Sequence, residues 1–166
     1  MASRALDHPR ESTLTASEQG AVKVTRVFDF PRESVFRMWT DPMKLAEWWG
    51  PEGCVVVLSE VDPRPGGAIR VDQRFLDGDM RRITAIFEKV IPPELLVFRS
   101  ASRGEAGFSP WEALNTVTFE ELGPRRTRVT AITAIVAGPQ EERESLKEAY
   151  RAGWGESFDK LQRALR

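Results

Sequence analysis

Residues 146–165 read LKEAYRAGWGESFDKLQRAL. Leu146, Tyr150, Trp154, Phe158, Leu161 and Leu165 recur there at steps of three and four. A helix gathers that spacing into one apolar stripe. Gly138-Pro139 precedes the stretch, Glu141, Glu142 and Glu144 crowd its start, and Lys160, Arg163 and Arg166 crowd its end. Acids at the first turn and bases at the last complement the helix dipole. About 26 residues at 1.5 Å each predict a rod of roughly 40 Å, long enough to cross a whole sheet. The stripe demands an equally apolar surface to cover it.

The preceding residues supply that surface as a meander. Arg126 to Val136 and about Glu112 to Glu121 read as strands joined at Gly123-Pro124. Residues 101 to 111, with Gly104, Gly107 and Pro110, read as a longer loop. Pro92-Pro93 separates Leu95-Leu96-Val97-Phe98 from a strand over Ile83 to Ile91. Asp77-Gly78 is the strongest short hairpin signal in the chain. Before it, Ile69, Val71, Gln73 and Phe75 alternate with Arg70, Asp72 and Arg74, one face buried and one wet. Pro63 to Gly67 turns the chain back into a strand over Val55 to Val61.

Two short helices come earlier. Val35, Phe36 and Trp39 share one face. Asp41 is a good N-cap, with Pro42 in the first position of a second helix that carries Leu45, Trp48 and Trp49 and stops at Gly50-Pro51. Val22 to Phe30 alternates as a first strand, ended by Pro31. Residues 1 to 20 are polar and without a period, and read as a tail. The order β-α-α-β6-α over residues 21–166 predicts one α+β domain: a curved antiparallel sheet with a long C-terminal helix across it.

Composition narrows the function. The chain has 166 residues, 41% hydrophobic and 30% charged, the balance of one globular domain. Net charge is −1, so no basic field exists to hold nucleic acid. The longest apolar run, Cys54 to Leu58, is far below the ~20 residues of a membrane helix. The N-terminus has no apolar core of a secretory signal and Cys54 is the only cysteine, so the expectation is a reducing cytoplasm. His8 is the only histidine and lies in the tail, which excludes the usual Ser-His-Asp and Cys-His triads and histidine-rich metal sites. No GxGxxG or GxxxxGK[ST] loop is present. The reading is no metal, no cofactor and no catalytic residue. A carboxylate pair stays open, with Glu47 beside Trp48 the acid to inspect first.

Trp48 and Trp49 project about 100° apart on a helix, so one of them lines a cavity mouth or a partner surface unless both are core. Gly153 and Gly155 flank Trp154 inside the last helix, each costing about 1 kcal/mol against alanine. Close packing on the sheet is the favoured offset, an enclosed ligand or a kink the alternatives. Gln73 and Tyr150 need polar partners if buried, or orient a guest. Arg70, Arg74, Arg81 and Arg82 among Asp72, Asp77 and Asp79 read as a solvated mixed-charge surface, or as a weak anionic-partner site. Cys54 reads as a structural thiol. The candidate cavity residues are Trp48, Trp49, Ile69, Val71, Gln73, Phe75, Phe87, Phe119, Tyr150, Trp154 and Phe158.

Five segments carry a resemblance: Arg26 to Phe36; Trp39-Thr40-Asp41-Pro42 running to Trp48-Trp49-Gly50-Pro51; Asp62 to Gly67; Ile91 to Leu96; and Ala152-Gly153-Trp154 to Leu161. Over about Val22 to Leu165 the chain resembles the START-like helix-grip (SRPBCC) superfamily, in particular bacterial proteins similar to the C-terminal domain of the activator of heat-shock protein 90 ATPase. The resemblance implies a helix-grip fold with a cavity between the long helix and the sheet. It implies roles ranging from chaperone co-factor and stress response to carriage of a small apolar ligand and, in distant branches, cyclases and hydrolases. With five Trp and nine Phe in one domain, the expectation is a non-catalytic binder of a small, mostly apolar molecule. A chaperone-partner module is the runner-up, and an enzyme on a bulky apolar substrate comes third. Either a monomer or a homodimer is compatible.

Overall fold

The computed structural model describes residues 20–104 and 107–165. The predicted tail over residues 1–20 lies outside them except for Gly20, as do His8 and Arg166. β1 (Val22–Phe28) leads into α1 (Arg32–Thr40) and α2 (Pro42–Leu45). Then follow β2 (Cys54–Val61), β3 (Ala68–Phe75), β4 (Met80–Ile91), β5 (Leu95–Ser102), β6 (Trp111–Gly123) and β7 (Arg126–Ala137). A 3₁₀ turn at Gln140–Glu142 opens α3 (Arg143–Ala164). The seven strands form one antiparallel sheet in the order β1-β7-β6-β5-β4-β3-β2. The architecture is α+β: a curled sheet closed on one side by a long C-terminal helix.

Local chemistry explains the elements. The Asp41 carboxylate accepts from the backbone N–H of Met43 at 2.9 Å and of Lys44 at 3.2 Å, and Pro42 needs no partner at the first helical position. On β3, Ile69, Val71 and Gln73 are buried while Arg70, Asp72 and Arg74 face out, as the two-residue period requires. β5 runs on to Ser102, four residues past the predicted Phe98, into what reads in the sequence as loop.

α3 is 22 residues, about 33 Å, because the acidic Gln140–Glu142 segment winds as 3₁₀ before the α-helix begins. Its buried stripe includes Leu146, Trp154, Phe158 and Leu161. α3 runs through Gly153 and Gly155 without interruption, and a Cβ on either glycine would meet nothing within 4 Å. The close packing expected of these glycines is therefore absent: both look onto open space. The main core gathers Phe28, Trp39, Trp48, Phe87, Phe119 and Phe158 between α1, α2, α3 and the sheet.

Candidate ligand-binding cavity

α3 rests on β1 and β7. β3, β4 and β5 curl beneath its N-terminal half without closing onto it, leaving a cavity of about 370 Å³. The sheet side is built by Ile69, Gln73 and Phe75 of β3, Ile83 and Ala85 of β4, Phe98, Ser100 and Ser102 of β5, and Trp111 and Asn115 of β6. Leu146, Tyr150, Gly153, Trp154 and Ser157 line it from α3. Phe108 and Trp111, ring centroids 5.8 Å apart, stand at one end, and Trp49-Gly50-Pro51 at the other.

A buried hydrogen-bond chain fixes the middle. The Trp154 indole N–H donates to Thr133 Oγ1 at 2.9 Å, and that hydroxyl donates to Asn115 Oδ1 at 2.8 Å. Asn115 Nδ2 donates in turn to Ser100 Oγ at 3.0 Å and to the Phe98 carbonyl at 3.3 Å. Trp154, Thr133 and Asn115 thus satisfy one another within this chain of bonds, which is the condition for keeping them in an apolar interior. Trp111 Nε1 donates to the Tyr150 hydroxyl at 3.1 Å, tying β6 to α3 across one rim.

A clamp holds the opposite end. Lys160 Nζ donates to the carbonyls of Trp49, Gly50 and Pro51 at 3.3, 3.4 and 3.4 Å, and Ser157 Oγ to that of Gly50 at 3.2 Å. The Glu52 N–H donates to Glu156 Oε2 at 2.9 Å, and Arg163 pairs with the Glu52 carboxylate at 2.6 Å. Gly50 has φ +90°, and a Cβ there would lie 1.9 Å from Gln73 Nε2. Only glycine lets this loop pass over the buried Gln73. Gln73 Nε2 donates to Cys54 Sγ at 3.6 Å, and the thiol donates to the Pro51 carbonyl at 3.1 Å. Burial pushes the Cys54 thiol pKa up, with the Lys160 charge opposing it. The shift disfavours the thiolate, the reactive form, consistent with a structural part in the clamp.

The structure divides the sequence-predicted residues. Trp49, Ile69, Gln73, Phe75, Tyr150 and Trp154 line the cavity. Trp48, Val71, Phe87, Phe119 and Phe158 are not at its wall; they are 0–2% exposed in the packed core. The helix predicted to carry both tryptophans ends at Leu45, so Trp48 and Trp49 follow it outside the helix, and they part: Trp48 is fully buried with its indole N–H on the Met38 carbonyl at 2.8 Å, and Trp49 is half-buried at the cavity. Gln73 and Tyr150 each find a protein partner and share no hydrogen bond. Glu47 is exposed and away from the wall.

Sequence reasoning passed over Phe98, Phe108, Trp111, Ser100 and Asn115. Asn115 shares strand parity with the apolar Ala113, Val117 and Phe119, so its inward placement was legible. Phe108 sits in a stretch without periodicity and gave no signal. Tyr150, Glu156, Arg81 and Arg82 are the ionisable side chains at the wall. Among the described residues, no hydroxyl lining the cavity bonds to a carboxylate, and no group of three metal-ligating side chains occurs. Nor is any described helix long and apolar enough to cross a membrane.

Comparison with known proteins gives a match of residues 29–166 to the family described as Activator of Hsp90 ATPase homolog 1-like protein. No curated protein matches. Among solved structures, a Chromobacterium violaceum protein is 25% identical with a TM-score of 0.72, covering 89% of this chain and 97% of that one. An Arthrobacter aurescens protein is 24% identical with a TM-score of 0.76, covering 93% and 91%. The AHSA1 protein of Silicibacter pomeroyi is 21% identical with a TM-score of 0.73, covering 87% and 96%. The fold is shared across all three.

Proposed function

Taking as premise that the chain belongs to the Activator of Hsp90 ATPase homolog 1-like family, we propose that it binds a small, mostly apolar molecule in the cavity under α3, without turnover. The observation that carries this reading is the space itself: about 370 Å³, walled by Trp49, Phe75, Phe98, Phe108, Trp111 and Trp154. That volume falls in the ~300–1,000 Å³ range of small-molecule sites. Apolar burial at roughly 25 cal/mol per Å² supplies affinity, and Gln73 and Tyr150 orient the guest. Ser100 and Ser157 spend their hydroxyl protons on backbone carbonyls, whereas Tyr150 only accepts from the Trp111 indole and keeps its own O–H for a guest. The single cysteine fits a reducing, cytoplasmic setting.

Native mass spectrometry of the purified protein, followed by NMR titration with fatty acids and flavonoids, tests the reading. The expected result is shifts at the Trp154 indole and at Gln73, abolished by Gly153→Phe, whose ring would occupy the open space beside the helix. Circular dichroism checks that the variant keeps its fold. Probes that leave both resonances unmoved overturn it.

The family match itself favours a second reading, partnership with a chaperone ATPase. Adding the protein to the Hsp90 ATPase reaction tests this. An unchanged rate, and an unchanged pull-down when residues 1 to 20 are removed, would eliminate it.

A further inference from the structure

The sheet is split beside the cavity. The β4–β5 ladder ends at Thr84↔Ala101, yet β4 continues to Met80 and β5 to Ser102. Ile83 and Ser102, next in register, are not paired. β4 stays with β3 there (Arg81↔Gln73, Arg82↔Asp72), whereas β5 stays with β6 (Ser102↔Trp111). β4 and β5 are no longer paired from Ile83 and Ser102 onward, and at that point the apolar cavity meets a groove on the outer face of the sheet. Arg81, Arg82 and Ala101 line both spaces. By strand parity Arg82 and Ala101 belong to the outer face, so their presence at the cavity wall marks an opening through the sheet.

The outer groove is strongly basic: Arg70, Arg81, Arg82 and Arg103 line it against the single acid Asp72. Asp72 is committed to Arg82, at 2.8 and 3.1 Å, and that bidentate bond first, with the Arg82 charge, holds its carboxyl below the usual range. Arg70 reaches Asp72 at 3.8 Å and Glu60 at 4.0 Å, and its Nε is buried without a partner. Arg81 lies over the Phe75 ring at 4.2 Å and gives only its Nε, at 3.3 Å, to Asp79. Among the described residues its two terminal nitrogens, and the whole Arg103 guanidinium, have no hydrogen-bond or ion-pair partner. Guanidinium groups present paired donors suited to carboxylate and phosphate oxygens.

Resting on the cavity reading above, we infer that the guest is an amphiphile: an apolar body under α3 and an anionic head, carboxylate or phosphate monoester, emerging through the β4–β5 split onto Arg81 and Arg103. Both heads share the chemistry of a compact oxyanion. The aromatic wall holds the body and the arginine rim fixes which end points out.

Isothermal titration with four probes of one tail length (decanoate, decyl phosphate, decanol and decylamine), with NMR shifts to locate them, tests this. The two anions bind about tenfold tighter than decanol, as one charge-assisted hydrogen bond would give, and decylamine binds weakest. They move both the Trp154 indole and the amides of Thr84 and Ala101. The variant Arg103→Gln, at a residue outside the cavity wall and with the Arg82–Asp72 pair left in place, brings decanoate down toward the affinity of decanol and leaves decanol unchanged. Tighter binding of one anion than the other identifies the head, and either order supports the inference. Equal binding of decanol and decanoate at Trp154 overturns the anionic head while the cavity reading stands. Binding of the anions at the outer arginines alone, with Trp154 still, overturns passage through the split. No binding by any of the four at Trp154 removes both readings.

Discussion

The two halves of α3 use the same apolar stripe and meet opposite fates. In its C-terminal half, Phe158 and Leu161 are fully buried. Phe158 stands 5.9 Å from Phe28, 6.3 Å from Trp39 and 5.7 Å from Trp154, measured between ring centroids. Trp39 also meets Trp48 at 4.6 Å and Phe119 at 5.8 Å, so the gap is filled by large rings. In the N-terminal half, Tyr150 and Gly153 look into a cavity. The difference lies in what faces the helix. Trp39 of α1 and Trp48 of the turn after α2 wedge under one half, whereas under the other Leu146 packs on Ala113 and Ile135 and the space beside Tyr150 and Gly153 stays open. A helix stripe states that a surface must be covered, and the connections elsewhere in the chain decide whether it is covered by protein or left for a guest.

The largest expected effect breaks the packed half. Phe158→Ala leaves a void among rings that cannot collapse, and should cost about 3–5 kcal/mol of unfolding free energy in urea melts. Tyr150→Ala, on the same stripe but beside existing space, should cost clearly less while weakening ligand binding. Equal losses at the two sites would erase the contrast between the halves.

Next in size is the clamp between cavity and core. Lys160→Met keeps the aliphatic stem but removes the charged donor shared by three carbonyls. Stability should fall by about 1.5–3 kcal/mol, the range for hydrogen bonds to a charged group. Because the same carbonyls belong to the Trp49-Gly50-Pro51 wall, guest affinity should fall too. A variant that loses stability but keeps its affinity would show that the clamp serves the core alone.

Much of this was legible in the sequence, and the illegible parts share a cause. Strand alternation placed Ile69, Val71 and Gln73 inward, and the Asp41-Pro42 cap placed α2, because these signals are local. Val71 and Ile69 carry the same parity and the same chemistry and both belong to the core, yet only Ile69 also reaches the cavity wall. That distinction depends on what stands opposite each position along β3, which is set by residues distant in the chain. The Lys160 clamp joins positions more than a hundred residues apart and left no periodic trace. The split between β4 and β5 was hidden because both strands keep good alternation on either side of it.

The smallest effect sharpens the comparison most. Gly153 and Gly155 lie where the two halves of α3 meet, and close packing was the natural expectation for two glycines in a helix. Open space beside both predicts the opposite sign. Gly155→Ala should stabilise the protein by up to about 1 kcal/mol, the helix-propensity difference, because its methyl meets no neighbour and neither glycine has a positive φ. Gly153→Ala should gain as much in thermal melts of the empty protein, and less when the guest is present, since its methyl intrudes on the cavity that Gly153 lines. Destabilisation by either alanine would mean that the helix presses on the sheet at this point and that the open half is not open.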